Sequence, residues 1–243
     1  MRANAFASSM EKLAIVTGGT KGIGRAVTEI FAQNGFSVAT CARNEEDLAS
    51  LKQALEESYE TRIHTFAADL SIRKDIDDFL DFVTMTGKTP EILVNNTGVF
   101  IPGEVQSEED GVLQELLDTN LMSAYHITRG LLTEMKKNKK GHVFNICSTA
   151  SLAAYPNGSS YSISKFALYG FSQVLRHELK EEGIRVTAVL PGPTFTPSWD
   201  GVEIEEDRLM KASDVAQMIW ATSQLSETSV VEDIVMRPQL GDL

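Results

Sequence analysis

Tyr161 and Lys165 stand four residues apart in Tyr161-Ser162-Ile163-Ser164-Lys165, a spacing that puts both side chains on one face of a helix. These residue types suit proton transfer. A phenol with a pKa of about 10 releases its proton poorly near neutral pH, and an ammonium beside it favours the phenolate and draws the pKa toward a working range. Such a pair is also a common accident of a helix surface, so its weight depends on what the rest of the chain brings to it. Ser148 closes the run Gly141-His142-Val143-Phe144-Asn145-Ile146-Cys147-Ser148, which ends in hydroxyls. Asn120 sits between Thr119 and Leu121 in a mostly apolar stretch, where burial without partners is expensive.

A second kind of chemistry is written near the start. The apolar run Leu13-Ala14-Ile15-Val16-Thr17 enters the turn Gly18-Gly19-Thr20-Lys21-Gly22-Ile23-Gly24, and helical periodicity follows from Arg25. Glycines let the backbone approach an anion without a Cβ in the way, and the helix offers unpaired N–H groups and the positive end of its dipole. The expected cargo is a dinucleotide. Gly19 and Gly24 have the spacing of a nucleoside-triphosphate loop, but Arg25-Ala26 stands where that loop needs lysine and a hydroxyl. The spacing Gly18-x-x-x-Gly22-x-Gly24 also departs from the Gly-x-Gly-x-x-Gly of most dinucleotide folds, and a glycine-rich turn alone can be purely structural.

The elements that must position these groups alternate. Strands are expected over Phe36–Arg43, Ile63–Leu70, Ile92–Asn95, Gly141–Ser148, Arg185–Leu190 and Ile234–Met236. Helices are expected from Asn44, a cap, to Tyr59, from Ile72 to Met85, from Gly111 to Asn138 as one long helix containing Asn120, from Ser160 to Glu181, and from Lys211 to Leu225. This alternation predicts a doubly wound, Rossmann-like α/β fold: one parallel sheet covered on both faces, in a single domain over 1–243. From Thr194 to Leu209 no regular pattern survives, and a substrate lid is expected there.

In such a fold the end of the second strand lies beside the adenosine ribose, where an acid selects NAD and an arginine accepts the 2′-phosphate of NADP. Here the positions are Ala42 and Arg43, with Lys21 in the glycine turn, so NADP is expected in preference to NAD. Asp69, with Leu70 beside it, either faces an adenine amino group or caps the next helix together with Ser71; both readings stay open. Asn96-Thr97-Gly98 and Pro191-Gly192 end strands on the face where ligands collect.

The totals bound the rest. The formal charge of −12 disfavours nucleic acid and anionic membrane as partners. The basic knot Lys136-Lys137-Asn138-Lys139-Lys140 reads as a solvated helix end. No apolar run approaches the roughly 18 residues needed to cross a membrane, and Met1–Met10 holds no segment of signal-peptide length. Cys41 and Cys147, the only cysteines, both fall in expected strands, so neither a disulfide framework nor a metal site is expected and a reducing cytoplasm fits.

From about Lys12 to Gly192 the chain resembles the short-chain dehydrogenase/reductase family, in its compact, NADP-preferring form similar to 3-oxoacyl-carrier-protein reductases. Four motifs carry the resemblance in order and spacing: Thr17-Gly18-x-x-x-Gly22-x-Gly24, Asn95-Asn96-x-Gly98, Ser148 thirteen residues before Tyr161, and Tyr161-x-x-x-Lys165. Reducing a carbonyl needs a hydride on carbon and a proton on oxygen, so an acid must lie within hydrogen-bond reach of that oxygen. The resemblance implies that Tyr161 is that acid and that Ser148 hydrogen-bonds the substrate oxygen. It implies further that Lys165 also holds the nicotinamide ribose, and that Asn120 anchors a water in a proton relay. It places Thr20, Lys21, Ile23, Thr194 and Thr196 among the cofactor contacts, the two last at the carboxamide, and it implies a homodimer or homotetramer through the two long central helices. Thr97 and Thr194 depart from the usual alanine and valine or isoleucine. The tail Val231-Glu232-Asp233-Ile234-Val235-Met236-Arg237-Pro238 lacks the Asn-Gly-Gly ending of the ketoacyl reductases, which argues against a dedicated acyl-carrier substrate. The expected activity interconverts a carbonyl, such as a small ketone or a 3-oxoacyl thioester, and a secondary alcohol. A redox-sensing regulator that binds NADP without turnover is the alternative, and a proton donor would be superfluous to it.

Overall fold

The computed structural model describes residues 12–199 and 201–242. The expectation for Met1–Met10 and the acid Asp200 of the expected lid lie outside them. Seven strands form one parallel sheet: β1 (Leu13–Thr17), β2 (Ser37–Ala42), β3 (Ile63–Ala67), β4 (Pro90–Asn95), β5 (Gly141–Ile146), β6 (Ile184–Pro191) and a last strand, Asp233–Met236, in the order β3-β2-β1-β4-β5-β6 followed by that last strand. The register runs unbroken from Leu13↔Ser37 to Thr17↔Cys41 between β1 and β2.

Both faces are covered, so the strands read as apolar runs rather than as alternating ones. Ala14 and Val16 of β1 join a cluster with Val27 and Phe31 of α1 (Gly22–Gln33), Leu51 and Leu55 of α2 (Glu45–Ser58), and Val215 and Ile219 of the last helix, Ala212–Ser223. Leu13 and Ile15 point the other way, into a cluster with Phe79 of α3 (Arg73–Met85) and with residues of the helices Ser123–Asn138 and Ser159–Leu179. The period of two along a strand thus feeds two cores from one element. Asn44 caps α2 as expected, its Oδ1 accepting from the Asp47 N–H at 2.8 Å.

Three expectations are corrected. The helix expected from Gly111 to Asn138 is broken: α4 (Val112–Leu117) runs into a π turn over Asp118–Met122 before α5 (Ser123–Asn138). Such a turn inserts one residue into the ladder, often at functional positions, and Asn120 is at its centre. The stretch 194–209 is partly ordered. β7 (Thr194–Phe195) pairs with β8 (Met210–Lys211), and short 3₁₀ turns cover Pro197–Trp199 and Glu206–Arg208. Neither Asp69 nor Ser71 caps α3, whose first turn follows Ile72 with no side-chain cap; Asp69 instead accepts from the backbone and hydroxyl of Ser71.

The remaining helices are α6 (Ser159–Leu179) and α7 (Ala212–Ser223), and the last strand is β9. The basic knot is a helix end: Lys136, Lys137 and Lys140 pair with Glu182, Glu134 and Glu91, while Lys139 turns left-handed (φ 46°) as the C-cap of α5. Among the described residues no helix is long and apolar enough to cross a membrane.

Candidate active site

The chain leaves β1 toward β2 and β3 on one side and resumes at β4 on the other, which opens a crevice at the carboxyl ends of β1 and β4. A cleft of about 900 Å³ lies there, walled by the residues that follow β1, β2, β3, β4, β5 and β6.

The glycine turn forms one wall. Gly18 (φ 66°) and Gly22 (φ 53°) are left-handed, and a Cβ at Gly22 would come within 2.9 Å of Thr196 Cγ2. A Cβ at Gly24 would strike the carbonyl of Gly18, so this glycine lets α1 start hard against the turn. Gly18, Thr20, Lys21, Gly22 and Ile23 line the cleft, whereas Gly24 lies behind it. The first turn of α1 has neither a side-chain cap nor an acidic residue, which leaves its N–H groups and dipole for an anion. This cradle, which side chains would fill, fits the pyrophosphate of a dinucleotide. Asn96 braces it: its Nδ2 donates to the carbonyls of Thr17 at 2.9 Å and Gly18 at 3.1 Å.

Arg43, Asp69 and Leu70 line the next part of the cleft with Ala42. Burial would raise the Asp69 carboxyl, but two hydrogen bonds from Ser71 and the charge of Arg43 together hold it below the usual range. Asp47, also on the wall, forms a 2.7 Å ion pair with Lys21. The sequence reading missed this partner, although its place three residues after a cap puts it in the first turn of α2.

Ser148, Tyr161 and Lys165 meet at the far end of the cleft. Ser148 Oγ accepts from the Ala150 N–H at 3.1 Å, which leaves its own proton to donate. Lys165 is buried, and its Nζ donates to the Ile146 carbonyl at 2.9 Å. Burial pushes the lysine down to about 8. Burial likewise raises the Tyr161 phenol; the hydrogen bond from Ser148 opposes this, and Cys147 adds to it. The expected lowering of Tyr161 by Lys165 is therefore not met in the protein alone. The ammonium lies 5.8 Å from the ring centroid and is itself weakened by desolvation, which is the larger effect on both groups. A phenol held protonated is the form that gives a proton.

Asn120 is fully buried and is not on the cleft wall. Its Oδ1 accepts from Val99 N at 2.8 Å, and its Nδ2 donates to Val99 O at 3.0 Å and Ser164 Oγ at 2.9 Å. Its cost of burial is thus met in full, by clamping the loop after β4 to α6. A Cβ on Gly98 would lie 3.2 Å from Asn120 Oδ1 and 3.3 Å from Lys165 Nζ, so this glycine lets the two approach.

Asn96, Thr97, Gly98, Pro191, Gly192, Thr194 and Thr196 complete that wall, with the Thr194 hydroxyl held by the Gly192 carbonyl at 2.9 Å. Of the three apolar residues of the expected lid only Trp199 reaches the cleft, joined by Val202; Phe195 is exposed and Leu209 is buried away from it. Glu203, Glu205 and Asp207 face solvent. The sequence reading also missed Phe100, Glu115 and Tyr155, and the ion pair of Arg237 with Asp242, all on the wall. Phe100 meets the Tyr161 ring edge-on at 5.0 Å. Its place just beyond β4 was a usable signal, whereas nothing local marks Arg237.

The model of the short chain dehydrogenase family matches residues 12–207, and the chain belongs to this family. It is similar to a sepiapterin reductase of Chlorobaculum tepidum, 33% identical with 96% of this chain and 99% of that one covered. Its fold matches an alcohol dehydrogenase of Thermococcus sibiricus solved with 5-hydroxy-NADP, with a TM-score of 0.90 at 20% identity over 96% and 99% of the two chains. It also matches a metagenomic short-chain oxidoreductase in complex with NADP, with a TM-score of 0.83 at 26% identity over 96% and 99%. The protein is an oxidoreductase of the CH–OH/C=O class that uses a nicotinamide dinucleotide.

Proposed function

We propose that the protein reduces a neutral, partly apolar ketone with NADPH, and that Tyr161 gives the proton. The observation that carries this reading is the meeting of Tyr161, Ser148 and Lys165 at one end of a cleft whose other end is a glycine cradle. The nicotinamide, when bound, supplies the hydride. Ser148, whose hydroxyl donates to Tyr161 in the protein alone, orients the substrate oxygen by donating to it instead, the buried Tyr161 stays protonated until it donates to that oxygen, and Lys165 bonds the ribose and restores the phenol's proton. Thr194 and Thr196 hold the carboxamide, and residues 194–209 form a lid over the reacting carbon. Preference for NADPH is supported by Arg43 with Ala42 and by the NADP-bound neighbour at 26% identity. Asp47 does not oppose it, since Lys21 already neutralises that carboxylate. Small ketones, ring ketones and 3-oxoacyl thioesters all lie within this class. Exposed Tyr125 on α5 and Ile163, Phe166 and Val174 on α6 support a homodimer or homotetramer through these helices. Two buried free thiols fit the cytoplasm.

Tyr161→Phe tests the assignment. NADPH oxidation with a panel of ketones should fall at least a hundredfold, with NADPH affinity by fluorescence unchanged. Retention of a tenth of the turnover overturns the proton-donor role. Wild-type protein that binds NADPH yet turns over no ketone favours the sensor reading.

A further inference from the structure

We infer that Glu108 is a positioning residue for Tyr161, acting from the neighbouring loop through Ser160. The inference rests on Tyr161 being the proton donor.

The helix that carries Tyr161 begins without the usual devices. Its N-cap, Gly158, has no side chain, and its first turn contains no acidic residue. Left so, the first N–H groups and the positive end of a 21-residue helix would fray, and Tyr161 is the third residue in. The missing carboxylate comes from 52 residues upstream. Glu108 Oε1 accepts from the Ser160 hydroxyl, and Ser160 is the buried residue immediately before Tyr161. Glu108 Oε2 is buried with no hydrogen-bond partner, which is a costly placement for a carboxylate serving only as a surface group.

The backbone is built to bring Glu108 there. Gly103 bridges Gly158, its N–H donating to Asn157 O at 3.0 Å while its carbonyl accepts from Ser159 N at 3.2 Å. A Cβ on Gly103 would stand 3.0 Å from Glu108 Cβ, so glycine is what lets the loop lie flat against the helix start. The same loop delivers Phe100 edge-on to the Tyr161 ring. Two contacts thus fix the phenol from outside its own helix: a ring against its edge, and a carboxylate on the residue beside it. A displacement of about 1 Å at a proton donor is enough to cost a large factor in rate.

The test uses Glu108→Ala, Glu108→Gln, Ser160→Ala and the double variant Glu108→Ala/Ser160→Ala, with Tyr161→Phe as a control. Ketone kcat should fall about tenfold in Glu108→Ala and in Ser160→Ala, with NADPH affinity by fluorescence unchanged and the folded fraction confirmed by circular dichroism. Glu108→Gln should recover to within about threefold of wild type, because a serine hydroxyl can bond an amide in either orientation. The double variant should be no slower than either single one, because both remove the same link. A purely structural role would lower Tm and leave kcat of the folded enzyme untouched. Wild-type kcat in folded Ser160→Ala, or losses that multiply in the double variant, overturns the inference; Ser160→Ala carries the test alone if Glu108→Ala fails to fold. If Tyr161→Phe retains turnover, the proton-donor reading falls instead, a separate result.

Discussion

Lys165 holds a charge inside the protein at a cost that depends on pH. Its pKa falls from 10.5 to about 8 on burial, so below pH 8 the folded and unfolded chains both bind the proton and the penalty is constant. Between pH 8 and 10.5 the unfolded chain keeps a proton that the folded one has lost, and stability rises with pH across that window. Lys165→Met removes the titration. The stability difference between wild type and this variant should move toward wild type by on the order of 2–3 kcal/mol from pH 7 to 10.5, read as denaturant midpoints at each pH. A flat difference would show that Lys165 titrates as an ordinary surface lysine. Arg43 gives the second test at this scale. Arg43→Asp puts a third carboxylate beside Asp47 and Asp69, and should weaken NADPH at least tenfold while strengthening NADH, with affinities compared by fluorescence at one salt concentration. These residues were legible from sequence because their chemistry is carried by type and spacing. Tyr155 was not, since an aromatic in a loop has no periodicity to say which way it faces, and Glu115, exposed on α4, has nothing in its type or spacing to separate it from a solvated acid.

The turn between β1 and α1 has little slack. Gly24→Ala sets a methyl against the Gly18 carbonyl and the Asn96 amide, neither of which is the end of a flexible side chain free to swing away. The variant should lose about 1–3 kcal/mol of stability and, with its cradle displaced, most of its NADPH affinity. A Tm within 1 °C of wild type would show that α1 can withdraw without cost. The strands were readable in sequence for a reason visible here: burial on both faces leaves each as an unbroken apolar run between breakers. The π turn at Asp118–Met122 was not readable, because one inserted residue changes the apolar spacing by less than the tolerance of the pattern. What did mark it was chemical, an asparagine too costly to bury without partners, and the structure supplies three bonds where the sequence showed only the cost.

Across the whole molecule the net charge of −12 coexists with a cleft whose cations are largely spoken for. Lys21 is paired with Asp47 and Arg237 with Asp242, while Glu115 adds a further carboxylate to the wall. Catalytic efficiency on a 3-oxo ester should therefore exceed that on its free acid by about tenfold or more, and a preference for the acid would overturn the substrate class. The pairing of β7 with β8 has a separate consequence. Thr194↔Met210 and Phe195↔Lys211 close the chain on itself at the base of the 196–209 excursion. Doubling the length of such a clasped segment costs only about 0.6 kcal/mol in closure entropy. With Thr196 set against Gly22 and Leu209 buried at its two ends, the excursion is in effect a cassette: its middle can be lengthened or exchanged with that of a relative while β6 and α7 keep their places, and if it is the proposed lid, selectivity is rewritten there.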